Sequence, residues 1–320
     1  MSRLARARTA VRRATGSSTT PAREDWEGGR PRVAVITMVR DEGTMLPVWL
    51  RYYGAQVGVE NLYVIDDSSV DGSTDALPCD VLRPPPVRGG RFESSRMRVI
   101  SGVADGLLGL YDAVIFCDAD EFIVPDPAVH ASLVDFVAAR AGAQAVGALG
   151  YNVVQHIGVE APLDLARPVL EQRQYAVFVP TMCKPSINYV GARWVAASHG
   201  IRADYAVDPE LFMFHLKFAD EALLRTVADH RQAMVELDGR SRVTSWRRGG
   251  AELVELLAGV SARIDQATVA ELAAPGRRGL DRLVIHDDDH DASRAPKGGQ
   301  VKAMEDAVPL RIPERLRAAF

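Results

Sequence analysis

The stretch Tyr111-Asp112-Ala113-Val114-Ile115-Phe116-Cys117-Asp118-Ala119-Asp120-Glu121-Phe122 decides how this chain folds. Ala113 to Phe116 is a short apolar run bounded by polar residues and without alternation, the pattern of a strand covered on both faces. Two carboxylates, one residue apart, follow it directly. Alternate side chains of an extended segment point the same way, so Asp118 and Asp120 face one ligand. Their oxygens suit Mg2+ or Mn2+, and a cation there offsets the cost of desolvating two acids. A bare Asp-x-Asp also serves as a strand-end turn facing water. The further acidic loops upstream argue for a site instead.

Upstream, Arg32 to Met38 is rich in Val and Ile and reads as a strand. After Arg40-Asp41-Glu42 come Met45, Leu46, Trp49, Leu50 and Tyr53, one face of a helix, on which Trp49 reads as core. Leu62 to Ile65 is a second strand, and Asp66-Asp67-Ser68-Ser69-Val70-Asp71-Gly72-Ser73 is loop chemistry. Met97 to Ser101 reads as another buried strand, while Pro84-Pro85-Pro86 with Gly89-Gly90 reads as a surface excursion. Alternating strands and helices predict an α/β fold with a mostly parallel sheet flanked by helices. Ligands of such sheets bind beyond the carboxyl ends of the strands, here the loops starting near Val39, Asp66 and Cys117.

Downstream the alternation is lost. Leu133 to Ala141 suits a helix, Ala145 to Val154 and Glu210 to Phe218 suit strands, and residues 220 to 275 read as helical through Leu223, Leu224, Val227, Leu253, Leu256, Leu257 and Val260. Period-two alternation puts Phe212, Phe214, Leu216 and Phe218 on one face of the late strand and His215 with Lys217 on the other. The expected organisation is a basic tail over 1–30, one domain over 31–285 and a polar tail over 286–320. Within the domain, 31–125 is the alternating half, 126–220 a mixed half and 221–285 a helical part.

The 320 residues are 47% hydrophobic and 25% charged, with a net charge of -4, which fits a globular protein and speaks against a nucleic-acid binder that relies on a broad basic field. The exception is the start, where Arg3, Arg6, Arg8, Arg12 and Arg13 lie among small polar residues in a composition that reads as a flexible tail. No secretory h-region or membrane span is readable, so a cytoplasmic location is expected, with peripheral contact of the basic tail to anionic lipid as the one membrane interaction the composition allows. Cys79, Cys117 and Cys183 lack zinc-site spacing and disulfide density and read as reduced, structural thiols.

Val39-Arg40-Asp41-Glu42 with Leu46, Trp49-Leu50 and Tyr52-Tyr53, then Val57-Gly58-Val59, Ile65-Asp66-Asp67-Ser68-Ser69-Val70-Asp71-Gly72-Ser73 and Asp118-Ala119-Asp120-Glu121-Phe122, in that order and spacing, resembles a branch of the family 2-like glycosyltransferases. The resemblance covers roughly residues 32 to 125 and makes 31–125 the nucleotide-sugar half and 126–220 the acceptor half. It implies a GT-A fold, a Mn2+ or Mg2+ cofactor, a UDP- or GDP-sugar donor and a generally inverting reaction on a hydroxyl acceptor, whether glycan, lipid-linked or small molecule. It makes Asp66 or Asp67 the partner of the base or ribose, with Thr37 and Arg40 in the same crevice. Asp118 becomes a contact to ribose or metal and Asp120 the direct metal ligand. His215 and Lys217 resemble the late element that completes the metal site and assists the leaving group. His199 and Lys184 are further candidates for acceptor or phosphate contacts.

Asp41 stands where that branch often has Asn. Arg193-Trp194 are not preceded by the Gln of the processive signature, Val190 taking its place, so a non-processive transferase is expected. A general base is needed for the acceptor proton; Glu160, Asp164, Asp208 and Glu210 are the acceptor-half carboxylates among which the spacing does not choose. Two rivals stand beside this reading. The segment 111–120 also resembles the first motif of haloacid-dehalogenase-like phosphatases, with Asp118 as nucleophile and Asp120 as acid/base, although Phe122 replaces the usual Thr or Val and Asp287-Asp288-Asp289 only imitates a late motif. The other is a non-catalytic GT-A-like module that binds nucleotide or glycan.

Overall fold

The computed structural model describes residues 29–86, 92–238, 248–266 and 269–320. Nearly all of the expected basic tail, together with Gly89 and Gly90, lies outside the described residues. The chain opens with strand β1 (Val33–Val39), every residue of it buried, and helix α1 (Leu46–Val57), which carries Pro47 in its first turn and stops at Gly58 with φ 90°. Strand β2 (Leu62–Asp66) and the short β3 (Asp80–Leu82) follow. Helix α2 (Phe92–Leu107) then leads to β4 (Ala113–Phe116) and β5 (Glu121–Pro125). Strands β1, β2, β3 and β4 are mutually parallel in the order β4-β1-β2-β3.

The strand expected at Met97 to Ser101 is instead the middle of α2. Its buried residues, Phe92, Met97, Ile100 and Ala104, recur at helical intervals, and only this longer window reveals the period. The five-residue run read alone cannot distinguish a strand from one helical turn.

Beyond β5 come α3 (Leu133–Ala139), β6 (Ala145–Val154), α4 (Val169–Gln172), β7 (Tyr175–Phe178) and β8 (Pro185–Asn188). The two-residue strands β9 (Trp194–Val195) and β10 (Gly200–Ile201) precede the long β11 (Tyr205–Phe218). Here the sheet is mixed: β8 runs antiparallel to both β4 and β6, β7 antiparallel to β6, and β11 lies parallel to β6 but antiparallel to β5. The last pairing sets His215 opposite Glu121, which brings the late strand against the acidic loop. Helices α5 (Glu221–Asp238) and α6 (Gly250–Gln266) pack next, as the apolar period predicts.

The region expected as a polar tail is folded. After the single-turn helix α7 (Arg277–Leu280), β12 (Ile285–Asp287) pairs with β13 (Ala292–Arg294), which pairs with β10. Helix α8 (Gln300–Glu305) and β14 (Pro309–Arg311) complete the chain, β14 extending the main sheet beside β7. Val301, Met304, Ile312, Leu316 and Phe320 are buried, and Phe320 stacks on Phe122 with centroids 4.3 Å apart. Each such side chain contributes about 1.5–3 kcal/mol on burial. Val301 and Met304 share the six-residue α8, and Ile312, Leu316 and Phe320 fall singly in turns and at the chain end, segments too short for a periodicity reading.

Candidate active site

A cleft of about 820 Å3 opens at the carboxyl ends of β1, β2 and β4. Its wall includes Arg40, Asp67, Asp118, Asp120, His215 and Lys217, so six of the eight predicted site residues meet although the sequence separates the first from the last by most of the chain. Lys184 and His199 line it as well.

Thr37 and Asp66 are the two that do not line the cleft. Thr37 is wholly buried within β1, and its Oγ1 has no hydrogen-bond partner among the described residues. Asp66 organises the following loop: one carboxylate oxygen accepts the Ser69 N–H at 2.7 Å and the other the Thr74 hydroxyl at 2.8 Å. Burial opposes the charge of Asp66, but these bonds and the Arg83 guanidinium hold its carboxyl below the ordinary range. Asp41 links two loops, its Oδ1 accepting the N–H groups of Val70 (2.7 Å) and Asp71 (3.2 Å). Its φ of 51° explains the exchange with Asn, since both short polar side chains tolerate the left-handed region.

Asp118 projects into the cleft in contact with the Arg96 guanidinium. The sequence does not single out Arg96, which lies between the Pro/Gly excursion and the run that reads as a strand; helix α2 delivers it. Burial raises the Asp118 carboxyl, yet Arg96 and then Lys184 outweigh this and hold it low. Asp120 is more enclosed. Its Oδ2 lies 3.2 Å from His215 Nε2 and 3.5 Å from Arg231 Nη2. Burial again works against ionisation, but His215, Arg231 and Lys184 keep the carboxyl well below the usual range. On its other side His215 Nδ1 lies 2.8 Å from Asn152 Oδ1, and the nearby Gln300 Nε2 donates to that same oxygen at 3.3 Å.

Among the described residues, no three His, Cys, Asp or Glu side chains are grouped to hold a metal. Of the expected ligand trio, Asp120 and His215 are in contact and Asp118 is taken by Arg96. A pair still fits a hard cation, because Mg2+ is commonly held by one or two protein ligands with substrate phosphates and water filling the remaining positions. With a cation present, a proton on Nδ1 toward Asn152 would leave the Nε2 lone pair to share the ion with Asp120, in place of the direct contact of Nε2 with that carboxylate.

Lys217 shares the cleft, and burial, reinforced by Arg231 and Arg248, pushes its ammonium down to about 7. Beneath Asp118, the buried Glu121 accepts from Lys184 Nζ at 2.7 Å and from the Asp118 N–H at 3.0 Å. None of the carboxylates considered as base lines the cleft. Glu160 accepts the N–H groups of His156 and Gln174, Asp164 caps a surface turn at Ala166, and Asp208 and Glu210 bind Arg140. Cys79, Cys117 and Cys183 are free thiols, the last two buried. No helix among the described residues is long and apolar enough to cross a membrane.

No protein-family model and no curated protein matches the chain. Solved structures do resemble it. A mannosyltransferase from Pyrobaculum calidifontis in complex with GDP-Man and Mn2+ aligns at 20% identity over 45% of this chain and 40% of its own, with a TM-score of 0.26. Glucosyl-3-phosphoglycerate synthase from Mycobacterium tuberculosis in complex with Mn2+ and UDP-Glc aligns at 22% identity over 38% of this chain and 44% of its own, with a TM-score of 0.28. A cytidylyltransferase from Leptospira borgpetersenii aligns at 10% identity over 41% of this chain and 57% of its own, with a TM-score of 0.24. The alignments span less than two thirds of each of these proteins, and a likeness at this level is no argument about activity. Fold and cleft by themselves define a mixed α/β protein in which acidic loops and a late basic strand meet at the ends of parallel strands.

Proposed function

We propose that this chain is a divalent-metal-dependent glycosyltransferase that moves a sugar from a UDP- or GDP-sugar to a hydroxyl acceptor, with inversion and without processive elongation. The observation that carries the reading is the contact of Asp120 with His215, which joins the acidic loop after β4 to the late strand β11 at 3.2 Å inside a cleft that also holds Asp118 and Lys217. Two unrelated segments that the motif resemblance assigned to one site converge there.

In this reading Asp67 and Arg40 take the nucleoside, and Asp118 takes the ribose or a phosphate-bound cation. Asp120 and His215 hold the divalent ion. When bound, such an ion neutralises the diphosphate and stabilises its departure. Lys217, whose proton is easily exchanged near neutrality, meets the charge that grows on the leaving oxygen. The phosphatase alternative draws no support from Asp287, which is buried against Arg294 and does not line the cleft.

Calorimetric titration of UDP and of GDP, with and without Mn2+, tests the reading. Binding of one nucleotide that requires Mn2+ and weakens about tenfold or more in Asp120→Asn, at least ~1.4 kcal/mol, is the expected result. No binding of either nucleotide under any metal condition overturns it.

A further inference from the structure

The turn between β9 and β10 holds Ala196, Ala197 and Ser198 in the left-handed region, with φ of 52°, 55° and 70°. Three successive non-glycine residues there cost roughly 1–2 kcal/mol each, and strain of this kind persists only where the surroundings enforce it. They do so here. The Ser198 hydroxyl lies 3.2 Å from Lys184 Nζ, the His199 N–H donates to the Ala196 carbonyl at 3.2 Å, and the His199 carbonyl accepts the Ala295 N–H at 2.8 Å.

The strained turn presents His199 to the cleft. Its Nδ1 lies 2.8 Å from the Thr181 carbonyl oxygen. A carbonyl only accepts, so the ring proton is on Nδ1 and Nε2 carries a lone pair, for which the described residues supply no hydrogen-bond partner. Several cleft carboxylates, by contrast, face protein partners: Glu121 with Lys184 and the Asp118 N–H, Asp41 with the loop after β2, Glu42 with the Met45 N–H, and Glu93 with the Arg96 guanidinium at 3.6 Å.

Resting on the transferase reading, we infer that His199 Nε2 is the base that takes the acceptor hydroxyl proton. As the acceptor oxygen bonds to the anomeric carbon, its proton passes to Nε2. The bond from that carbon to the diphosphate oxygen breaks, and its electron pair leaves with the nucleoside diphosphate; the imidazolium then returns the proton to water. Burial, with the Lys184 charge, pulls the ring down to about 4, close to the ordinary range of the carboxylates that act as bases elsewhere. Thr181 acts through the ring as a positioning residue.

The test compares wild type, His199→Gln and His199→Ala in the full chain. It uses UDP-glucose and GDP-mannose as donors, glycerol as the acceptor probe, release of nucleoside diphosphate as the rate, and melting curves to establish folding. Expected are nucleotide affinity within about twofold of wild type, a fall in kcat of about 10²- to 10⁴-fold in both variants, and partial restoration of His199→Ala by added imidazole. A kcat within a few-fold of wild type in folded His199→Gln overturns the inference. So does a loss in His199→Ala that imidazole leaves unchanged. A wild type that neither binds nucleotide nor releases it from either donor is the failure of the transferase reading itself, seen before any variant is measured, and the inference falls with it.

Discussion

Glu121 uses both of its carboxylate oxygens to fix the acidic loop: one lies 2.7 Å from Lys184 Nζ, the other accepts the Asp118 main-chain N–H at 3.0 Å, and both side chains of the ion pair are buried. The pair therefore ties β8 to the loop that carries the site. Removing one member leaves the other charge buried and uncompensated, which costs about 3–5 kcal/mol, whereas removing both relieves that penalty. Lys184→Met and Glu121→Leu should each lower the unfolding free energy by that amount, and the double variant should recover part of the loss. Urea unfolding arranged as a double-mutant cycle measures the coupling. A coupling near zero would mean that the two groups act independently.

If the site holds a divalent ion as proposed, Arg96 competes with it for Asp118. The guanidinium contacts Asp118, whereas Asp120 lies against His215, so in the proposed site the protein without ligand would offer a cation two ligands and withhold a third. Arg96→Leu should release Asp118 and raise the affinity for Mn2+ alone by about tenfold, ~1.4 kcal/mol. It should also weaken nucleotide binding if the guanidinium contacts phosphate when the donor is present. Mn2+ titration followed by electron paramagnetic resonance reads the first effect directly. Weaker Mn2+ binding in the variant would show that Arg96 supports the ion site instead of competing for it.

The parallel half of the fold was readable because each of its strands is a continuous apolar run ending in a loop with a charged signature: Val39 into Arg40-Asp41-Glu42, Ile65 into Asp66-Asp67, Phe116 into Asp118 and Asp120. Helix α2 is not legible locally because Met97 to Ser101 is too short to show its period, and Arg96 is hidden with it. The C-terminal region is not legible for a different reason. Its burial is tertiary: Phe320 gains its value from stacking on Phe122, and Gln300 from reaching His215, neither of which leaves a mark on the neighbouring sequence. Asp66 and Thr37 show that a motif position can shape the loop or fill the strand, while Asp67, the other acid the resemblance offers for the nucleoside, lines the cleft. What the sequence could not supply was the partner of each charge. The pairing of β11 with β5 brings His215 beside the acidic loop, and the 3.2 Å contact of its Nε2 with Asp120, not with the register partner Glu121, gives the carboxylate it meets.

The burial of His199 has a consequence for stability that does not depend on catalysis. The groups acting on the ring are Lys184 and Arg294, which disfavour its protonation, and the Thr181 carbonyl and Asp118, which favour it; burial dominates and brings it to about 4 from an ordinary 6.5. Below pH 6.5 the unfolded chain therefore binds a proton that the folded chain refuses until the pH nears 4. The contribution of His199 is complete above 6.5 and is lost as the pH falls through that window. The difference in unfolding free energy between wild type and His199→Gln should accordingly shrink from pH 7 to pH 4, while titrations common to both proteins cancel. Denaturant unfolding at closely spaced pH values measures that difference. A difference that stays flat across the window would place the ring in solvent and remove the reason for its fixed neutral tautomer, whereas one that grows on acidification would mean that the folded protein holds His199 protonated.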